Sequence, residues 1–344
     1  MSPKPQKNKK FIAIDAMGGD KAPQSVIKGA HLVLKEGYDL GYFLCGDQKV
    51  LQKEICKYPL LESNSTIVHS DKVVLSSDKP STALRSGKQS SMRMAIDLVK
   101  NKKAFSIISC GNTGALMAMS KIVLRPLVGI ERPAIATIIP TMKTSCVFLD
   151  MGANSEVNAD QLIQFAIMGN AFAKAALGIS NPRIGVLNIG TEEIKGNDVI
   201  KYTHKILSEK YTNLNYRGYI EGDDILKGVV DVVVTDGFTG NVALKSIEGT
   251  AKLCKHILAK GFKTSLFSKM GYYFARKSLK KTFNEIDPRN YNGALFVGLN
   301  GISIKGHGNS DEVAFANAIK VAINLSENNI NKKIIELLGS NEEN

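Results

Sequence analysis

Short apolar runs alternating with helix-length segments dictate how this chain folds more than anything else in it. "KFIAID" precedes "APQSVIKGAHLVLKEG", "GYFLC" precedes "KVLQKEICKY", and "STIVH" precedes the long helical stretch "STALRSGKQSSMRMAIDLVK". "FSIIS" leads into "GNTGALMAMSKIVL". Beyond it come "AIATIIP", "CVFLD", the helix "ADQLIQFAIMGNAFAKAALG", "RIGVLNIG", and "DVVVTD" before a long helical region. Apolar runs of this length without polar alternation are strands buried on both faces of a helix-covered, mostly parallel sheet. The expected fold is therefore α/β, an α/β/α sandwich. No repeat, linker or composition break divides it, so residues 11–344 are expected as one α/β domain behind a basic tail, residues 1–10.

Charge is unevenly placed. Of the net +13, residues 1–10 supply four lysines and no acid, and residues 251–283 supply nine Lys/Arg and no acid. The rest is balanced, so any nucleic acid, anionic lipid or acidic protein would meet those two segments. No apolar run reaches the roughly eighteen residues of a membrane span. Phe11 to Ile14 is too short for a signal core, which points to the cytoplasm. The five cysteines are scattered without a C-x-x-C pair, and the five histidines lack ligand spacing, so neither a disulfide framework nor a metal site is expected. Cys110, beside a glycine turn, is the one thiol placed to act as a nucleophile.

Ligands of α/β sheets gather beyond the carboxyl ends of strands. Five such ends here carry small polar residues: Asp15, Gly18, Gly19 and Asp20; Gly111, Asn112, Thr113 and Gly114; Asp150, Gly152 and Asn154; Asn188, Gly190, Thr191, Lys195 and Gly196; and Asp236, Gly237, Thr239, Gly240 and Asn241. Together they predict a rim of free N–H groups, and helix N-termini there bind oxyanions such as phosphate. For Asn112 or Thr113 alone, helix capping is an equal alternative. Arg85 and Lys88, three apart near the start of the expected long helix, would oppose its dipole unless an anion were near. "GKQSS" fails as a P-loop because Gln89 follows the lysine, and no G-x-G-x-x-G follows the first strand. His307, in "IKGHGNSD", is either an acid–base group or a plain turn residue.

Residues 240–283 read as a helical hairpin turning at Gly261 to Thr264. Leu266, Met270, Tyr273 and Phe274 fall at helical spacing amid lysines that include Lys277 and Lys280. Such a surface suits an anionic membrane or an acidic carrier protein.

The stretches "IAIDAMGGDKAP", "STALRSGKQSSM", "GNTGALMAMS", "ERPAIATIIPT", "LDMGAN", "PRIGVLNIGTEEIKGN", "DVVVTDGFTGNVALKSIEG" and "YNGALFVGLNGISIKGHG" resemble, in order, the PlsX family of bacterial phosphate acyltransferases. That resemblance implies transfer of a fatty acyl group from acyl carrier protein to inorganic phosphate, giving acyl phosphate for phospholipid synthesis. It also implies a fold similar to phosphotransacetylase and isopropylmalate dehydrogenase, a homodimer, and peripheral contact with the inner face of the membrane. No cofactor, metal or nucleic acid is called for. The chemistry of such a transfer, which needs phosphate fixed against a thioester, would have Arg85, Lys88 and the N–H groups of Asn112 and Thr113 hold phosphate. Lys195 or Asn241 would serve the oxyanion, and His307 the departing thiolate. Cys110 stands where the family pattern leads one to expect alanine, which weakens a thiol role. The alternatives are a short-chain phosphotransacetylase-like enzyme and a non-enzymatic lipid- or nucleic-acid-binding module.

Overall fold

The structure, a computed structural model, describes residues 9–285 and 287–339. Residues 1–8 of the expected basic tail lie outside the described residues, and Lys10 already opens the first strand. The strands are β1 (Lys10–Asp15), β2 (Leu40–Gly46), β3 (Ser65–His69), β4 (Ser106–Ser109), β5 (Ala134–Pro140), β6 (Ser145–Leu149), β7 (Arg183–Leu187), β8 (Asn215–Ile220), β9 (Val232–Val234), β10 (Ala294–Val297) and β11 (Ile302–Lys305). They form one sheet in the order β3-β2-β1-β4-β11-β10-β5-β6-β9-β7-β8.

The helices are α1 (Gln24–Lys35), α2 (Gln48–Ile55), α3 (Pro59–Glu62), α4 (Pro80–Ser86), α5 (Ser91–Lys100), α6 (Thr113–Leu124) and α7 (Ala159–Ala176). They continue with α8 (Asp198–Lys210), α9 (Asp224–Lys227), α10 (Gly237–Gly261), α11 (Leu266–Glu285), α12 (Glu312–Glu327) and α13 (Ile330–Gly339). Alternate residues of each strand feed two cores. Ile12, Ile14, Ile108, Val147 and Leu149 pack with α1, α7 and α12 on one face. Ala13, Ile107, Cys146 and Phe148 pack with α5 and α6 on the other. Both faces are covered, which is why the strands read as continuous apolar runs. The α/β/α sandwich is the observed architecture.

Strand direction is what the apolar pattern could not supply. β3, β2, β1, β4 and β11 run parallel, as do β6, β9, β7 and β8. Between the two sets, the pairs β11–β10, β10–β5 and β5–β6 are all antiparallel. Three reversals in succession leave the sets pointing in opposite directions. Their carboxyl ends therefore open at opposite ends of the sheet.

The long helix expected over residues 81–100 is also corrected. It breaks into α4, a short 3-10 turn at Gly87–Gln89, and α5. Ser90 ends the turn in an extended conformation, and its Oγ accepts from the Arg93 N–H to cap α5. Arg85 thus lies in the last turn of α4, where a cation suits the helix dipole. The dipole argument for an anion beside it no longer applies.

Candidate active site at the ends of β1, β4 and β11

The turns after β1, β4 and β11 converge around Asp15. This side chain is 1% exposed. Ser91 Oγ donates to its Oδ1 at 2.6 Å and Ser109 Oγ to its Oδ2 at 2.7 Å. Ser109 Oγ in turn accepts the Gly111 N–H at 3.0 Å, so the carboxylate braces the glycine turn from beneath. Burial pushes the Asp15 carboxyl above its ordinary range, while the two serine hydroxyls pull it back. Gly19 adopts φ +112°, and the following Asp20 N–H donates to the Gly308 carbonyl at 2.8 Å. That bond joins the β1 turn to the β11 turn.

Above this floor stands the first turn of α6. Asn112 is its cap: Oδ1 accepts from the Ala115 N–H at 3.0 Å. The Asn112 amide also donates to the carbonyls of Leu75, Ser76 and Asp78, fastening the segment before α4 over the turn. Its side chain is fully used in capping and tethering, which leaves only its backbone N–H, with no protein acceptor among the described residues, for an anion. Gly111 N–H is taken by Ser109. Among the described residues no protein acceptor takes the N–H of Thr113 or Gly114, which lack intrahelical partners by position. These two donors, at the positive end of a twelve-residue helix, face an exposed surface.

Two residues of the β11 turn complete the group. His307 is exposed; its N–H donates to Asn292 Oδ1 at 2.9 Å and its carbonyl accepts from Ser310 Oγ at 2.6 Å. The backbone is fixed, and the imidazole Nδ1 accepts the Asn309 N–H of the same turn at 3.4 Å. Lys305, which the sequence did not single out, is paired in register with Ser109. Its Nζ lies 3.5 Å from the Cys110 carbonyl and also donates to that of Gly306. Burial lowers the Lys305 ammonium's pKa, and the charges around Cys110, Asp15 and Asp20 oppose that. Cys110 is 4% exposed, and burial pushes its thiol up to about 11. A buried thiol so weakly ionised is a poor nucleophile.

Arg85 and Lys88 are both exposed, outside this cluster of turns. Pro80, at the start of α4, packs where a side chain on Gly114 would go, so α4 flanks the α6 N-terminus. If Arg85 and Lys88 reach an anion there, Arg85→Ala and Lys88→Ala each raise the phosphate KM by about tenfold or more without lowering the melting temperature. Unchanged steady-state phosphate dependence in both variants would assign them to a solvated surface.

The other expected turns lie at the opposite end of the sheet. Asp150 is 0% exposed, and its carboxylate accepts from the N–H groups of Ile135, Gly152, Ala153 and Asn154 and from the Asn154 amide. Asp236 caps α10, its Oδ1 accepting from Thr239 N–H and its Oδ2 from Thr239 Oγ1. Gly237 N–H donates to the Asn154 carbonyl, and Gly240 is pressed against the Asp150 carbonyl, where no side chain fits. Asn241 borders Gly152. Lys195 is exposed in the loop after β7, which Asn188 folds by donating to the carbonyls of Gly190 and Lys195. Among the described residues no hydrogen bond or ion pair joins this group to the Asp15 group. The single rim of five turns is thus corrected to two groups, with Lys195 and Asn241 separated from His307 by the strand reversal.

The hairpin reading corresponds to α10, a turn, and α11. Every residue from Gly249 to Gly261 is exposed, as are Leu266, Met270, Phe274, Lys277 and Lys280. Beyond its first turns, where Gly237, Gly240 and Asn241 meet the body, α10 packs Ala243, Leu244 and Ile247 against it.

Comparison with known proteins places this geometry. The family described as "Fatty acid synthesis protein" matches residues 11–333. The phosphate acyltransferase of Rhodospirillum centenum is 48% identical over 94% of this chain and 91% of its own length. That of Wolbachia pipientis wMel is 47% identical over 95% and 96%. Among solved structures, a phosphotransacetylase from Streptococcus pyogenes aligns with a TM-score of 0.62 at 16% identity, over 92% of this chain and 94% of that one. A branched-chain phosphotransacylase from Enterococcus faecalis gives 0.54 at 13%, over 92% and 99%. At such identities these structures share the fold.

Proposed function

The chain belongs to the PlsX family of phosphate acyltransferases, and from that premise we propose that it moves a fatty acyl group from acyl carrier protein to inorganic phosphate. The enzyme is an acyltransferase of fatty acid and phospholipid synthesis; the carrier as donor and acyl phosphate as product are the finer part of the proposal. The observation that carries it is the pair of unclaimed N–H groups at the α6 N-terminus, set above a braced glycine turn that offers no competent nucleophile.

The chemistry needs little more. Inorganic phosphate near neutrality is a mixture of monoanion and dianion, so a nucleophilic dianion is present without a strong base from the enzyme. One of its oxygens attacks the thioester carbonyl carbon, a C–O bond forms, and the tetrahedral intermediate collapses with loss of the C–S bond. The proton that phosphate carried ends on the departing sulfur, relayed by the exposed His307 imidazole. Thr113 and Gly114 hold the nucleophile in place, and orientation of this kind is worth several kcal/mol of the barrier, of order 7–11 in the best cases.

The exposed apolar and cationic surface of α10 and α11 supports a second part of the proposal: a homodimer that rests on the anionic inner face of the membrane. No helix among the described residues is long and apolar enough to cross one.

Purified enzyme given palmitoyl-acyl carrier protein should release the carrier only when phosphate is present, with acyl phosphate formed in equal amount. Cys110→Ala should keep most of this activity. A stoichiometric burst of acyl-enzyme abolished in Cys110→Ala would overturn the direct mechanism. Phosphate-independent release, or use of acetyl thioesters alone, would overturn the assignment of substrates.

A further inference from the structure

Lys305 is a cation in search of an anion. It sits at the carboxyl end of β11, its backbone paired with Ser109, the residue that clamps Asp15. Among the described residues it forms no ion pair within 4.0 Å, although the carboxylates of Asp15 and Asp20 lie near enough to act on its charge. An ammonium has three donors. Two go to the main-chain carbonyls of Cys110 and Gly306, which pins the Nζ against the turn that leads into α6. The third has no protein acceptor. Taking an ammonium partly out of water without a paired charge is costly. The α6 N-terminus beside it carries positive partial charge and two more unclaimed N–H groups, Thr113 and Gly114.

Asp15 does not relieve this arrangement. Both of its oxygens are occupied by serine hydroxyls, and it is sealed beneath the turn. Asp20 is exposed, its backbone tied to Gly308. The outward side of the cluster is therefore where donors, one of them fully charged, remain to be satisfied.

We propose that Lys305 is the principal charged ligand of the phosphate, its free N–H and the Thr113 and Gly114 N–H groups together holding one anionic substrate. This rests on the phosphate acyltransferase reading given above. It assigns the anchoring charge to a lysine fixed on a strand, not to Arg85 or Lys88 on the exposed segment. A strand-borne cation held by two carbonyls is better fixed than either, and fixed donors give the geometric precision that in-line attack needs.

The test uses Lys305→Met, which keeps the aliphatic stem and removes the charge, and Lys305→Arg, which keeps a charge. Steady-state kinetics with palmitoyl-acyl carrier protein are measured alongside melting curves taken with and without phosphate. In Lys305→Met the phosphate KM should rise roughly ten- to hundredfold while the carrier KM stays within about twofold. The stabilisation that phosphate gives the wild type should vanish in Lys305→Met and survive in part in Lys305→Arg. Wild-type phosphate dependence in Lys305→Met overturns the inference. So does a collapse of kcat with phosphate KM and phosphate stabilisation intact, because the lysine then serves a proton transfer. Failure of the broader reading would appear in the wild type itself, as carrier release that ignores phosphate.

Discussion

Asp150→Ala should cost about 4 kcal/mol of stability or leave the chain unfolded. The carboxylate is 0% exposed and accepts five hydrogen bonds, from the N–H groups of Ile135, Gly152, Ala153 and Asn154 and from the Asn154 amide. Burial pushes its carboxyl above the ordinary range, and the N–H donors of Ala153, Ile135 and Asn154 pull it back. Alanine would orphan those donors together. An unsatisfied buried donor costs about 1–3 kcal/mol, so even with partial rescue by water the sum is large. The same carboxylate reaches the start of α10 through Asn154, whose N–H and amide it accepts and whose carbonyl takes the Gly237 N–H. Asp150 N–H donates to the Thr235 carbonyl, and Gly240 presses on the Asp150 carbonyl. Loss of the brace therefore loosens both the β6 turn and the helix start. Asp150→Asn keeps one acceptor oxygen and should fall between the two. Thermal melting followed by circular dichroism decides the matter. An Asp150→Ala protein that melts within about 2 °C of the wild type but binds substrate poorly would make Asp150 a ligand, as its place in a polar turn first indicated.

That prediction turns on something only the structure supplies. "LDMGAN" and "GNTG" read alike as small polar turns after buried strands, and both were legible as strand ends because β6 and β4 are short apolar runs. Hydrophobic periodicity gives a strand's burial but not its direction. The reversals through β10 and β5 thus stayed hidden, and with them the division of the turns into two groups. β8 escaped for a different reason. "NYRGYI" carries an exposed arginine and Gly218 at φ +87°, and its partner β7 shifts register between Ile184 and Val186, so no clean pattern survives on this edge strand. β10 and β11 are four residues each, too short to stand out within "YNGALFVGLNGISIKGHG". Lys305 was hidden with β11. Its one signal was a lone cation closing an apolar run immediately before a glycine turn, the place where a strand delivers side chains to a site. The body and end of α10, by contrast, were readable because the periodicity and the glycine turn are local features, while its first turn, Gly237 to Gly240, read as part of the polar turn before it.

Leu266→Glu and Phe274→Glu should each weaken binding to anionic vesicles by at least about tenfold while leaving the KM for acyl carrier protein nearly unchanged. Leu266 is 76% exposed, Phe274 77%, and Phe267 beside them 85%. Buried at a lipid interface, side chains of this size gain about 1.5–3 kcal/mol each. The surrounding Lys269, Lys277, Lys280 and Lys281 add about 1 kcal/mol apiece against anionic headgroups. Arg276 is stacked 4.3 Å from the Tyr273 ring centroid, holding a cation over an aromatic face at the same surface. Because none of these side chains packs on the body, the glutamate variants should melt as the wild type does, which removes misfolding as an explanation for lost binding. The proposed product, an acyl phosphate, has a hydrocarbon tail and a hydrolysable anhydride, so release at a bilayer would shield it from water. An acidic acyl carrier protein, the donor proposed above, would compete for the same lysines by charge alone. The apolar substitutions therefore separate the two partners where lysine substitutions would not. Liposome co-sedimentation read beside steady-state kinetics gives the answer. Retained vesicle binding with a raised carrier KM would turn α10 and α11 into a docking surface for the carrier. Retained vesicle binding, unchanged kinetics and a shift from dimer to monomer in sedimentation would instead assign this apolar surface to a second copy of the chain.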